Sequence, residues 1–332
     1  KKTWMKCLRN IGMSPLETRD DALIDVLYNV KNIAIFQEDI YIGSGEQLIV
    51  WDKYGKFKRV LSKKGNDPQS YLHFNHFMIW PNGDLSIASP IEIVTYSNSH
   101  QFINKKRCEN VGYIEAITLL NDSLYIIKCM PTPEQLRYRI INHHTGAIIN
   151  SYDSIINCNR YISSFTNSFE RYEGHIISHG YQSNDILECT LDSSKIRYKI
   201  NVDNRIPPAG FYTQEGKEGM QLIQEEAEKG YIGHIPDYVE SKETILLSFK
   251  GKREDLNGIA LIDKKDGNAR VLENIKFDDN FRWLPKQFFS LDEGWCAMLM
   301  YPEDVLKKEE FARRFPGLDE ESNPVLFIGK LR

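Results

Sequence analysis

The stretch LIVWDKYGKFKRVLSKKGNDP, Leu48 to Pro68, constrains the fold more than any other part of the chain. It reads as a strand, an Asp-x-x-Gly turn, a second strand and a Pro-marked exit. The pattern recurs. Similar hairpins lie at 91–103, 138–152, 185–200 and 258–272, with Gly, Asn, Asp or Ser in their turns. Those residues tolerate the backbone angles of tight hairpins. A second kind of hairpin precedes each one and ends in a tight turn and a short apolar strand, at 37–44, 81–89, 121–128, 172–180 and 241–249, with a sixth at 291–299. Two hairpins make a four-stranded antiparallel meander. Repeated roughly every 40–70 residues, such meanders are blades of a propeller and not turns of a helical solenoid.

The sixth unit departs from the pattern. After 291–299 comes PEDVLKKEEFARRF (302–315), with Pro placed for a first helical turn, and then a single strand at 323–332. One strand is missing, and the N-terminal KTWMKCLRNI can supply it. Closing a ring with strands from both ends removes edges that would otherwise aggregate. The expectation is an all-β protein: a six-bladed β-propeller of four-stranded antiparallel blades, closed by N- and C-terminal strands, with short helical insertions. One domain spans 1–332. An insertion at 205–242 separates blades 4 and 5, and GMQLIQEEAEKG within it has the composition of a short helix. It is read as a packing excursion or as a cap over one mouth of the ring.

Composition narrows the function classes. The net charge of −4 argues against a nucleic-acid or anionic-membrane binder, which needs a basic field. No apolar run approaches the ~20 residues of a membrane span. The six cysteines are scattered singly, without a Cys-x-x-Cys pair, so neither a zinc ribbon nor an obligatory disulfide is expected. The chain contains no Gly-x-Gly-x-x-Gly, Walker loop, His-Glu-x-x-His or Gly-x-Ser-x-Gly. No catalytic residue, metal ligand or cofactor is assigned on that basis. His175 and His179 share a strand face and could begin a metal site, but no third ligand is visible. His143 and His144 fall in a hairpin turn and are read as surface. Asn75, Glu115 and Asn167 are scattered candidates for a channel calcium, without a repeated acidic position.

A binding face is the stronger expectation. The loops between blades carry His73, Arg160, Tyr161, Tyr181, Arg253, Arg282 and Trp283. Aromatic and Arg side chains suit sugars, carboxylates or peptide segments, through stacking and forked hydrogen bonds.

Four segments carry a family resemblance: SPLETRDDALIDVLYNVKNIAIFQEDIYI (14–42), WDKYGKFKRVLSKKGNDPQSY (51–71), QSNDILECTLDSSKIRYKINVDNRIP (182–207) and the ending ESNPVLFIGKLR (321–332). From about Met13 to Arg332 the chain resembles a family of six-bladed β-propeller proteins abundant in Bacteroidetes. It departs from the family's Gly-x-Gly-Pro exit from blade 1, where KGNDP stands instead. The resemblance implies an exported protein, periplasmic or on the cell surface, with any membrane tether supplied by a lipid on a segment upstream. It brings no catalytic residues. Two functions follow as expectations: a non-catalytic binding or scaffolding propeller of the cell envelope for an unknown polar ligand or protein partner, or a metal-dependent propeller hydrolase or lyase acting through the central channel.

Overall fold

The computed structural model describes residues 7–24, 30–108, 111–130, 136–154, 169–179, 184–202, 204–208, 210–214, 216–217, 219–276, 282–307 and 309–332. After β1 (Leu8–Pro15), blade 1 comprises β2 (Val30–Phe36), β3 (Asp39–Ser44), β4 (Gln47–Trp51) and β5 (Phe57–Leu61). Blade 2 comprises β6 (His76–Ile79), β7 (Leu85–Ser89), β8 (Glu92–Tyr96) and β9 (Phe102–Arg107). Blade 3 comprises β10 (Ile114–Leu119), β11 (Leu124–Cys129), β12 (Leu136–Asn142) and β13 (Ile148–Ser154). Blade 4 comprises β14 (Glu170–Tyr172), β15 (His175–His179), β16 (Asp185–Cys189) and β17 (Ser194–Lys199). Helix α1 (Gly219–Lys229) follows in the insertion, as its composition predicts. Blade 5 comprises β18 (Tyr238–Glu240), β19 (Thr244–Phe249), β20 (Gly258–Asp263) and β21 (Ala269–Leu272). A small extra sheet, β22 (Ile275–Lys276) and β23 (Arg282–Trp283), precedes blade 6. Blade 6 takes β24 (Phe288–Ser290), β25 (Trp295–Met300) and β26 (Val325–Leu331), with β1 as its fourth strand. Between β25 and β26 lie α2 (Pro302–Leu306) and α3 (Glu309–Arg314), so the expected single helical stretch is two short helices. The protein is an all-β six-bladed propeller, closed by strands from its two ends.

The hairpin that opened the argument shows why the unit repeats. In β3 and β4 nearly every residue is buried, whereas β5 leaves Lys58 exposed and Arg59 half-buried. Such a sheet is apolar on both faces in the middle and polar at its outer edge. At the turn, the backbone N–H groups of Tyr54 and Lys56 donate to Asp52 Oδ1 at 2.8 and 3.0 Å. Gly55 has φ of 84°, and a Cβ there would sit 2.1 Å from the Pro15 carbonyl oxygen. Glycine is required on both counts. The outer hairpins of blades 1 to 4 each carry one register shift, at Val50/Trp51, Thr95/Tyr96, Ile140/Ile141 and Ile186/Leu187. In blades 1 to 3 the bulge lies towards the turn end of the third strand and in blade 4 near the start of β16, and each increases the local twist.

By internal packing the chain divides into two compact units. The first holds residues 1–62, 237–247 and 259–332, and the second holds 63–236 and 248–258. Within the first, β1 pairs antiparallel with β26 from Leu8↔Leu331 to Pro15↔Val325. Closure is as expected, although the strand runs four residues beyond the N-terminal stretch named for it, and residues 1–6 lie outside the described residues. Asn323, 2% exposed, clamps the segment that follows β1. Its Oδ1 accepts from Ile24 N–H at 2.8 Å, and its Nδ2 donates to the carbonyls of Glu17 and Ala22 at 3.0 and 2.9 Å. Those bonds join the segments 14–42 and 321–332, two of the four that carry the family resemblance. One core of this unit joins blades 5 and 6 around Phe288, Met298 and Phe327, and another joins blades 6 and 1 around Ile33, Trp51 and Phe289.

In the second unit, blades 2 and 3 pack through Ile93, Ile117 and Ile127, and blades 3 and 4 through Ile126, Tyr138 and Leu187. Tyr138 Oη donates to Ser178 Oγ at 2.9 Å, so the one polar atom of that large ring is satisfied. The insertion is anchored from inside. Tyr212 and the N–H of Gly233 hydrogen-bond the buried Glu226 of α1.

Cys7, Cys108, Cys129, Cys189 and Cys296 are buried free thiols, and Cys158 lies outside the described residues. Burial pushes the thiols of Cys7 and Cys108 up to about 11 and that of Cys129 up to about 12. The reactive thiolate is therefore suppressed. Native protein is expected to resist alkylation at these five positions, and denatured, unreduced protein to label at all of them. Two positions that stay protected in denaturant would reveal a disulfide and overturn this assignment.

Candidate functional site

Blade 3 contains a lysine where a middle strand should be apolar. Lys128 lies in YIIKC of β11, is 4% exposed, and pairs with Ala116 on one side and Tyr138 on the other. Its Nζ donates to the backbone carbonyl of His179 at 2.8 Å. That bond holds the ammonium at the junction of blades 3 and 4. The ladder between β10 and β11 shifts register between Ile114 and Ala116, which leaves Glu115 as the extra residue of a bulge. Bulges re-aim a side chain. Here the carboxyl falls within the field of both Lys128 and Arg137.

Three histidines surround this pair. His76 opens β6, and its Nδ1 is shut off from solvent without a hydrogen-bond partner among the described residues. His179 closes β15, is 3% exposed, and its ring is hydrogen-bonded to the backbone of Ile235. His234 belongs to the end of the insertion, held by an antiparallel bridge to Lys250, whose N–H donates to the His234 carbonyl at 2.9 Å. Lys128 acts electrostatically on all three rings and on Glu115. The cluster thus draws on blades 2, 3 and 4 and on the insertion, all within the second unit.

Burial shapes the protonation of every member. Burial, assisted by Lys128, pulls His76 down to about 4 and His179 down to about 3. His234 is held well below its ordinary value by burial and then by His179. Burial also pushes the Glu115 carboxyl up and the Lys128 ammonium down. At neutral pH the rings are neutral, each with one N–H donor and one acceptor nitrogen. Among the described residues, no group of three or more His, Cys, Asp or Glu side chains is close enough to share a metal ion.

The loop residues named from sequence do not form this cluster. His73 is exposed just before β6, and its backbone N–H donates to Ser89 Oγ at 3.1 Å. Arg253 is exposed, and its Nε donates to Asp255 Oδ1 at 2.9 Å. Arg282 and Trp283 belong to the first unit and form β23, not a loop. Trp283 is 8% exposed and packs on Phe327 with ring centroids 5.7 Å apart, so its face belongs to the core and not to a binding rim. Arg160, Tyr161, Tyr181 and Asn167 lie outside the described residues. His175 and His179 are not joint ligands: His175 Nδ1 meets Glu188 Oε1 at 3.0 Å near the surface, while His179 is buried at the other end of the strand. His143 is half-buried and stacks on Trp80 with centroids 3.9 Å apart, a correction to its reading as plain surface. Asn75 is committed to structure, since its Nδ2 donates to the Ile114 carbonyl at 2.6 Å. Sequence reasoning passed over Lys128 and His234. The legible signal for the first was a charged residue inside an apolar middle strand.

Residues 7–330 match the family described as a domain of unknown function, DUF4934. The chain belongs to this family. No curated protein matches it in sequence. Among solved structures it is similar to a protein of Bacteroides fragilis described as exported, at 13% identity and a TM-score of 0.77, covering 100% of this chain and 98% of that one. It is also similar to a DUF4221 family member of Bacteroides vulgatus, at 11% identity and a TM-score of 0.57, covering 98% and 97%. A third relative in fold is the virginiamycin B lyase of Staphylococcus aureus, at 10% identity and a TM-score of 0.51, covering 97% and 100%. At such identities the likeness establishes the propeller fold and no more.

Proposed function

We propose that this DUF4934 protein is an exported, non-catalytic binding propeller of the cell envelope, and that its polar ligand is seated at the Lys128 cluster. The observation that carries the proposal is the cluster itself. Burying a lysine and an imidazole beside a half-buried carboxyl and two half-buried imidazoles costs several kcal/mol that apolar residues in a blade would not. Departures from a well-packed apolar interior tend to sit at functional sites. The bond from Lys128 Nζ to the His179 carbonyl fixes the ammonium as a positioned charge, which suits holding a ligand better than shuttling protons. Export is supported by the Bacteroides fragilis relative described in those terms, and an upstream lipid tether is part of the same proposal. His73, Arg253 and Arg282, with Arg160, Tyr161 and Tyr181, stay proposed as surface contacts. Trp283 is left out because its ring is in the core.

One observation favours a second reading, proton-transfer chemistry at the same seat. The pKa values of Glu115 and Lys128 are pushed towards each other, as in many acid–base pairs. A thermal-shift screen of glycans, peptides and cell-envelope fragments separates the two. The binding reading expects a ligand that raises the melting temperature of the wild type, leaves its own mass unchanged on incubation, and loses its effect on Lys128→Met. A ligand consumed by the wild type and spared by Glu115→Gln would overturn the non-catalytic reading in favour of the second. Stabilisation that survives Lys128→Met would move the seat elsewhere.

A further inference from the structure

We infer that the junction of blades 2 and 3 holds an anion site, built on Arg139 and Lys106, that takes a doubly charged oxyanion such as a phosphate group. The site lies on the other face of β11 from the Lys128 cluster and is independent of it. Successive residues of a strand point to opposite faces of the sheet, and directly paired residues share a face. On β11, Ile126 packs against blade 4 and Lys128 reaches the His179 carbonyl, while Tyr125, Ile127 and Cys129 pack against blade 2. On β12, Arg139 pairs with Ile127 and lies between Tyr138 and Ile140, which belong to the blade 4 side. Arg139 therefore faces blade 2, as Ile141 does. From the opposite side, Lys106 of β9 pairs with Ile93, which packs against blade 3. A Cβ added at Gly146, in the turn between β12 and β13, would lie 3.5 Å from Lys106 Cδ, so the lysine stem crosses the junction.

Neither cation is satisfied. Arg139 is 9% exposed, its Nε is shut off from solvent, and its guanidinium has no hydrogen bond or ion pair among the described residues. Lys106 is half-buried and its ammonium likewise has no partner among them. Tyr125 Oη, in a side chain 1% exposed, is a third donor on this face without a partner among the described residues. The two cations border one neighbourhood: Lys106 acts on Cys108, Arg139 acts on Cys129, and Cys108 acts on Cys129. Three carboxylates reach that neighbourhood with their fields, and each is engaged elsewhere. Glu92 meets Lys105 Nζ at 3.1 Å, Asp84 Oδ2 accepts from Asn82 Nδ2 at 2.8 Å, and Glu115 lies in the field of Lys128 and Arg137. A guanidinium cannot shed its proton to escape burial, so an uncompensated one in an apolar junction is costly. Two positive charges without a facing carboxylate are balanced by a dianion. The planar fork of an arginine matches two oxygens of a phosphate, and a lysine adds a point charge.

The probe is inorganic phosphate, titrated calorimetrically into the full chain at constant ionic strength, with acetate as the singly charged comparison. Calorimetry is the measure of binding because phosphate also raises melting temperatures by exclusion from protein surfaces. Phosphate is expected to bind saturably, with acetate at least about tenfold weaker. Arg139→Met should weaken phosphate binding about tenfold or more, as expected for loss of charge-assisted hydrogen bonds, and Lys106→Met about threefold or more. Lys128→Met should leave it intact. In phosphate-free buffer Arg139→Met should also melt a few degrees above the wild type, because an uncompensated buried charge has gone. An Arg139→Met chain that melts lower, or does not fold, would show that the protein itself satisfies the guanidinium and would overturn the inference. So would the absence of saturable phosphate binding up to about 50 mM, where even a millimolar site is filled. Binding retained in Arg139→Met, or lost in Lys128→Met, would move the anion off this junction. Acetate bound as tightly as phosphate, or an unchanged affinity in Lys106→Met, would overturn the dianion class. None of these outcomes bears on the ligand proposed for the Lys128 cluster except loss in Lys128→Met, which would assign phosphate to it.

Discussion

Removal of Leu8–Pro15 is expected to leave a chain that aggregates or melts far below the intact protein. The strand pairs along β26 from Leu331 to Val325, and without it β26 becomes an open edge with unpaired N–H and C=O groups. The loss is also apolar. Leu8 is fully buried, and Ile11 and Met13 pack against the core that joins blades 5 and 6. At about 1.5–3 kcal/mol for a fully buried large side chain, with the half-buried Ile11 and Met13 contributing about half as much each, burial alone amounts to roughly 3–6 kcal/mol. That is a large part of the margin of a typical domain, about 5–15 kcal/mol. Residues 16–24 keep their own anchor, since Leu16 N–H donates to the Pro324 carbonyl at 3.2 Å beside the Asn323 clamp, so the loss is that of the closing strand itself. The check is a thermal melt with light scattering on the deleted chain, followed by addition of a synthetic peptide spanning 7–16. The peptide should restore solubility by adding the missing strand in trans. A monodisperse deletion variant with an unchanged melt would show that closure by β1 contributes little.

Acid is expected to destabilise the protein well before its carboxylates are protonated. His76 and His179 titrate at about 4 and about 3 in the folded protein, because burial disfavours the imidazolium. In the unfolded chain both return to about 6.5. Between those values the unfolded state binds more protons, so stability is complete above pH ~6.5 and falls as the pH drops through the window down to the folded values. At pH 5 each ring has lost roughly 2 kcal/mol of its contribution, or about 4 kcal/mol for the pair. His234, also held low by burial, acts in the same direction. Glu115 opposes them: its carboxyl is raised by burial, so its folded form takes up a proton earlier and regains stability as the pH falls. The histidines outnumber it, and the net slope is downward. Urea denaturation at pH 7, 6 and 5 should show the midpoint falling at each step, with a shallower fall in His76→Gln. A midpoint independent of pH over this range would mean that the rings are not buried neutral.

The architecture was legible because its determinants are local. A hairpin turn needs residues such as Asp52 and Gly55, and four strands in a row need two such turns per unit, so counting turn signals counted blades. Counting also exposed the missing fourth strand of blade 6, and the N-terminus was the remaining stretch that could fill it. The sheet formed by Ile275–Lys276 and Arg282–Trp283 was not legible, since two-residue strands have no period to detect. Trp283 was misplaced for a related reason. An aromatic residue in a connecting segment looks the same in sequence whether it faces solvent or, as here, packs on Phe327.

The candidate site divides in the same way. Glu115 was visible as one of several scattered channel candidates and His179 as half of a histidine pair, and nothing local set His76 apart. Their meaning depends on Lys128, whose charge reaches all three, and on His234, which the insertion brings in from far along the chain. By itself the sequence determined the blade, its repetition and its closure, because strand period and turn chemistry act between residues a few positions apart. Only the tertiary structure decided the site, because the field on each of its groups comes from blades and an insertion distant in sequence, and burial, which sets every protonation state there, is a property of the packed protein.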